Sequence, residues 1–155
     1  MNEGDYLKTK EKIHHKCMML IGEQIDRLTK QLSDLQDAKN NETKSSAGDK
    51  YETGRAMIHN QENLIDSQLV TSKRLLNELL QIDPFKKQDV VTTGSLVILH
   101  NGIFYISAGL GAVMVDEQRY FALSLKSPLG VAIRNKKSGE PYHFQDKDFI
   151  ILNVL

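Results

Sequence analysis

Ile82-Asp83-Pro84-Phe85-Lys86-Lys87 is the stretch at which the chain changes its period. Proline has no amide proton to give a helix and pushes the residue before it into extended backbone. A helix entering this stretch therefore stops near Ile82, and an element of another kind can begin after it.

On the N-terminal side the apolar residues recur at helical spacing. Ile58, Ile65, Leu69, Leu76 and Leu79 share one stripe, in which Glu62 and Ser72 also fall. Earlier still, Met18, Ile21, Ile25, Leu28, Leu32 and Leu35 alternate steps of three and four, the mark of a helix with a narrow apolar seam. The spacing predicts helices over about Asp5–Ala38 and Asp49–Leu80. Neither persists alone in water, so each must bury its seam. Lys39-Asn40-Asn41-Glu42-Thr43-Lys44-Ser45-Ser46-Ala47-Gly48 between them is polar and rich in turn formers. A short polar connection between helices of similar length implies an antiparallel pair, roughly 45 Å long at ~1.5 Å per residue. A compact bundle is the competing arrangement, but it needs further helices and none follows.

On the C-terminal side the pattern is β from Val90 onward. Gly94-Ser95-Leu96-Val97-Ile98-Leu99-His100 is a β-branched run, Asn101-Gly102 signals a hairpin, and Ile103-Phe104-Tyr105-Ile106-Ser107-Ala108 returns antiparallel. Further strands are expected at Ala112–Val115, Arg119–Leu125, Tyr142–Phe144 and Asp148–Val154. Ser127 as N-cap and Pro128 at the first helical position predict one short helix to about Arg134. The expected class is α+β: an antiparallel helical hairpin (a coiled coil) over residues 1–81, a linker over 82–89, and an antiparallel β domain with one short helix over 90–155.

Lys and Arg number 20, as do Asp and Glu, so the formal net charge is zero. That balance opposes broad coating of nucleic acid, though Lys8, Lys10, Lys12 and Lys16 make the first helix begin mildly basic. Cys17 is the single cysteine, so no intrachain disulfide forms and a reducing compartment fits. The N-terminus lacks a signal peptide's apolar core, and no run nears the roughly 20 apolar residues that span a bilayer. The expectation is a cytoplasmic monomer without membrane contact.

His14, His15 and Cys17 look superficially like metal ligands, but neighbours on a helix point about 100° apart. Cys17 sits in a helical seam, which does not activate a thiol. No glycine-rich loop joins a strand to a helix as a nucleotide cradle requires. The residues assemble no enzyme site of their own. Asp49 and Glu52, three apart at the start of the second helix, put two carboxylates on one face. They could merely favour the helix N-terminus, with Asp49 or Ser46 as a cap. At the end of a narrow rod they could also complete another molecule's site for a hard cation.

With these residues in view, the chain resembles the Gre transcript-cleavage factors of bacterial RNA polymerase. Gly94-Ser95-Leu96-Val97 looks like the family's Gly-Ser-x-Val, and Ser127-Pro128-Leu129-Gly130-Val131-Ala132 like its Ser-Pro-Leu-Gly-x-Ala. Lys136-Lys137-Ser138-Gly139-Glu140 is similar to its Lys-Lys-x-Gly-Asp/Glu loop, Ile150–Val154 fits its last strand, and Gly48-Asp49-Lys50-Tyr51-Glu52 resembles its Gly-Asp-x-x-Glu. The resemblance implies an FKBP-like β domain that docks on the polymerase through Lys126, Ser127, Pro128 and Leu129. It implies that Asp49 and Glu52 enter the secondary channel and help hold a Mg²⁺ shared with the polymerase. The polymerase's own site would then cleave backtracked RNA, so the nascent RNA 3′ end is an indirect partner and the chain has no cofactor of its own. Three places depart from the family's pattern: Ser45 and Lys44 where an Arg is frequent, Lys126 where an acid or amide precedes Ser-Pro, and Thr53-Gly54-Arg55-Ala56-Met57 after the acids. A channel-binding regulator without cleavage activity, a coiled-coil adaptor and a peptidyl-prolyl isomerase are the alternatives. The last requires an aromatic-lined pocket, for which scattered Phe and Tyr and no Trp give little sign.

Overall fold

The computed structural model describes residues 1–44 and 48–155, with the side chains of 42–44 and 48–51 outside the description. Two long helices, α1 (Glu3–Lys44) and α2 (Gly48–Leu80), precede a strand-rich half that carries one short helix. The α+β class expected from the change of period is what the chain adopts. Packing separates two compact units, Ile21–Arg74 and Met1–Leu20 with Leu75–Leu155, so both long helices contribute to both.

In the unit Ile21–Arg74 the helices run antiparallel. Leu28, Ile65 and Leu69 form its buried core, with Ile25, Leu32 and Leu35 packed around them. The polar stripe positions do face inward. Glu62 is half-buried and pairs with Lys39 at 3.6 Å, while Ser72 is 1% exposed. Helix α1 runs on through Lys39–Lys44, which the sequence assigned to the connection. No Gly or Pro interrupts that segment and its Lys and Glu are good helix formers, so the hydrogen-bond ladder continues. The remainder of the expected connection, 45–47, lies outside the described residues, and with it the Ser46 cap.

The other unit holds strands β1 (Leu96–Leu99), β2 (Gly102–Ile106), β3 (Gly111–Val115), β4 (Gln118–Leu123), β5 (Pro141–Phe144), β6 (Lys147–Ile150) and β7 (Asn153–Val154), with α3 (Pro128–Ile133) after β4. Five strands form one sheet in the order β3-β4-β2-β1-β7, and β5-β6 form a separate ribbon. The antiparallel expectation holds for every ladder but β2–β4, which is parallel. The expected last strand divides at Ile151–Leu152, its halves pairing in different sheets. Leu99 faces Gly102 in register, so His100 and Asn101 make the turn and Gly102 belongs to the strand. Left-handed two-residue turns occur instead at Asp116-Glu117 (φ 49° and 65°) and Gln145-Asp146 (φ 52° and 62°), the conformation that closes tight hairpins.

Within this unit the first turns of α1 pack on the sheet half. Lys10, Ile13 and Cys17, three and four apart, are each fully buried. The Lys10 ammonium donates to the main-chain oxygens of Lys86 at 2.7 Å and Leu155 at 3.2 Å. His14 Nδ1 lies 2.8 Å from the Tyr105 hydroxyl. Lys12–Asp116 at 2.6 Å and Lys87–Glu3 at 2.7 Å are exposed pairs, which solvent screens.

Burial lowers the Lys10 pKa to about 8, partly countered by the negative charge of Asp83, and raises Cys17 to about 12. Their consequences oppose each other. As pH rises above about 8, folded Lys10 gives up a proton that the unfolded chain still holds, and stability rises. Above the thiol's ordinary value the unfolded chain ionises Cys17 while the folded chain does not, and stability falls. In a Cys17→Ala background, urea unfolding should therefore show stability climbing between about pH 8 and about pH 10. Adding Lys10→Met should remove that climb; a climb that persists would assign it to another group.

Candidate functional site: the start of the second helix and the Ser127–Gly130 corner

Asp49 and Glu52 belong to the first turns of α2, close in sequence to the last residue of α1. In the antiparallel unit Ile21–Arg74 this is the end remote from Ile21 and Arg74. The Glu52 side chain is exposed, and that of Asp49 lies outside the described residues. The helix segment 21–44 is roughly 35 Å long at ~1.5 Å per residue, so Glu52 stands at the end of a slender support.

Lys126, Ser127, Pro128 and Leu129 form a tight corner between β4 and α3. Ser127, with φ −66° and ψ 158°, is the N-cap of α3, and Pro128 is its first residue. Its hydroxyl accepts from the Gly130 amide at 3.1 Å and donates to the Ser124 oxygen at 2.7 Å. The Ser127 amide also donates to the Ser124 oxygen, at 3.0 Å. A Cβ on Gly130 would stand 2.3 Å from that oxygen and 2.8 Å from Leu125 Cα. The pattern Ser-Pro-Leu-Gly is thus dictated by this backbone: a cap, a fixed φ, and a site with no room for a side chain. What the corner offers outward is Lys126, Pro128 and Val131, all exposed, while half-buried Leu129 packs on the core.

The other segments of the resemblance are also backbone devices. Gly94 has φ +98°, and Ser95 Oγ donates to the Val90 oxygen and accepts from the Thr92 amide. Gly139 has φ +85° and donates to the Ile151 oxygen at 2.7 Å, and Glu140 accepts from the Lys137 amide. These residues hold chain crossings together within their own compact unit, and Asp49 and Glu52 belong to the other.

The fold disperses the superficial metal cluster. His14 meets Tyr105, Cys17 is enclosed, and His15 is exposed. Burial, and more weakly the neighbouring His15, pushes the His14 pKa down. The described residues hold no group of three or more His, Cys, Asp and Glu that could bind a metal ion. Sequence reasoning missed a pocket of about 290 Å³ in the sheet half, walled by Tyr142, Phe144, Phe149, His100 and Leu129. Alternation in β5 and β6 is visible in the sequence, but that these strands close over the β1–β2 turn and α3 is not.

No family model and no curated protein matches the chain. A solved structure entitled "Structure of the transcription factor Gfh1" aligns with 90% of this chain and 93% of its own, at 15% identity and a TM-score of 0.37. No described helix is long and apolar enough to cross a membrane.

The two glycines with opposite surroundings give a direct check on the corner. Gly130→Ala should destabilise the protein by about 1–3 kcal/mol, because backbone rather than a flexible side chain must yield. Gly22→Ala, inside α1 with nothing within 4 Å of the added carbon, should stabilise by up to ~1 kcal/mol. Urea midpoints of the two variants measure both, and a neutral Gly130→Ala would show that the corner relaxes freely.

Proposed function

We propose that this chain is an accessory protein of bacterial RNA polymerase that stimulates cleavage of backtracked RNA. The observation that carries the reading is the placement of Asp49 and Glu52 in the first turns of α2, at one end of a slender antiparallel helix pair. Such a support is narrow enough to enter a cleft that excludes a globular domain. The sequence resemblance in both halves adds to it.

Two carboxylates one helical turn apart suit a Mg²⁺ ion, which keeps several waters and uses few protein ligands. The described residues complete no metal site alone, so the remaining ligands belong to the polymerase in this reading. The ion, when held there, supplies activation of a water and charge neutralisation. The residues of this chain contribute carboxylate charge and position, and the catalytic site remains the polymerase's own. Lys126, Ser127, Pro128 and Leu129 form the docking corner, with Lys126 and Pro128 outermost.

One observation favours a regulator that occupies the channel without promoting cleavage. Thr53-Gly54-Arg55-Ala56-Met57, directly after the two acids, departs from the Gre pattern, whereas Ser127-Pro128-Leu129-Gly130 at the corner keeps it.

Asp49→Asn retains size and capping ability while losing the charge that a hard cation requires. With a backtracked polymerase complex, wild-type protein should accelerate RNA cleavage, and Asp49→Asn should lower that stimulation by at least about a hundredfold while still competing for the polymerase. Wild-type protein that competes yet never accelerates cleavage at any Mg²⁺ concentration would make the chain a regulator. Loss of binding along with activity in the variant would make Asp49 structural.

A further inference from the structure

β3 ends the five-stranded sheet, so one side of it pairs with β4 and the other with no strand. An unpaired edge is a template for another strand, and proteins usually guard it by shortness, charge, proline or a bulge. The opposite edge is guarded by shortness, since β7 is only Asn153–Val154. β3 has none of these guards. Gly111-Ala112-Val113-Met114-Val115 holds no charge and no proline, and its register with β4 runs without a bulge. Gly111, Ala112 and Met114 are exposed. An open crevice of about 540 Å³ lies between the end of β3 and Lys12, His15, Lys16 and Met19 of α1, so the helix leaves space beside the strand.

The turn after β3 decides which groups the edge offers. Val115 and Gln118 close a two-residue turn, so they exchange both main-chain hydrogen bonds, and so do Val113 with Tyr120 and Gly111 with Ala122. The amides and carbonyls of Ala112 and Met114 therefore point away from β4. Among the described residues, neither makes a main-chain hydrogen bond outside its own sheet. These donors and acceptors, two residues apart, match an antiparallel copy of the same strand.

We propose that a second copy of this chain pairs with this edge, β3 against β3, in antiparallel register about a two-fold axis at Val113. Ala112 of one copy then exchanges both hydrogen bonds with Met114 of the other, and the same exchange recurs across the axis. Side-chain sizes select this occupant. The half-exposed Met114 covers the small Ala112 of the second copy, Val115 lies opposite its Gly111, and Val113 meets its counterpart. An unrelated strand would satisfy the same bonds without this match of large against small. Asp116, already paired with Lys12 at 2.6 Å, falls opposite Leu110 of the second copy, so no like charges meet. With a formal net charge of zero, the copies do not repel each other at a distance. The pairing replaces the monomer expected from the sequence, and it does not rest on the polymerase reading.

Sedimentation of the full chain between about 5 µM and about 500 µM should show the mass rising from one chain toward two and no further, since a two-fold pairing of edges closes on itself. Amide exchange at Ala112 and Met114 should slow at least about tenfold at the upper concentration, while the other strands keep their rates. Ala112→Pro removes an outward donor from an edge that tolerates proline, so the variant should stay folded and sediment as one chain throughout. Should it unfold, Met114→Lys decides: the side chain is exposed and lysine guards an edge, so association should weaken at least about tenfold. A wild-type chain that stays single over this range would overturn the proposal and leave the edge to a strand of another protein. Growth beyond two chains, unchanged exchange at Ala112 and Met114, or association that survives these replacements would overturn it as well.

Discussion

The ammonium of Lys10 is enclosed by protein and donates to two main-chain oxygens, one in the segment after Pro84 and one at Leu155. Enclosing an unpaired ammonium is costly, so those oxygens must stay where they are for the first helix to pack at all. The contacts join residues 76 and 145 positions apart in sequence. They tie the start of α1, the segment leaving α2 and the end of the strand-rich half into one compact unit. Ile13 and Cys17 follow on the same helical face and bury beneath that anchor. Burial disfavours the charged form by more than the negative charge of Asp83 restores it, which is why the group titrates below an ordinary lysine.

A second constraint governs the sheet half. Its recognisable motifs sit where the chain has no freedom: Gly94 and Gly139 in left-handed backbone, Ser127 at a cap, Gly130 pressed against the Ser124 oxygen. Their resemblance to a family is therefore first a statement about backbone geometry. The same framework can carry different surfaces, and the exposed Lys126 is where this chain departs from the pattern. Function must be argued from what the frame displays: the acids at the start of α2, the corner's outer side chains and the unpaired edge of β3.

The helix pair follows another logic. Its seam carries Glu62 and Ser72 among the leucines and isoleucines, and Glu62 reaches Lys39 of the facing helix. Polar seam positions lower stability but favour one alignment, because a shifted pairing would leave these groups without partners. Under the proposed function, in which this pair presents two carboxylates to a polymerase, alignment matters more than the last increment of stability.

Periods of 3.6 and 2 on either side of Pro84 determined the two long helices, the strand-rich half and the short helix capped by Ser127, since each is written in local spacing and local backbone chemistry. That Asp49 and Glu52 fall in the first turns of the second helix was legible for the same reason. Other features depended on contacts that spacing does not encode. The parallel β2–β4 ladder arises from strand order, not strand sequence. The turns at Asp116-Glu117 and Gln145-Asp146 lack the glycine that announces such turns, and register imposes their left-handed backbone. Lys10 reads locally as one of several surface lysines, and only the meeting of Lys86 and Leu155 over it makes it buried. The aromatic pocket gathers side chains from β5, β6, the β1–β2 turn and α3. Sequence spacing fixes which face a residue takes on its own element, whereas the partners across that face are chosen by how distant elements pack.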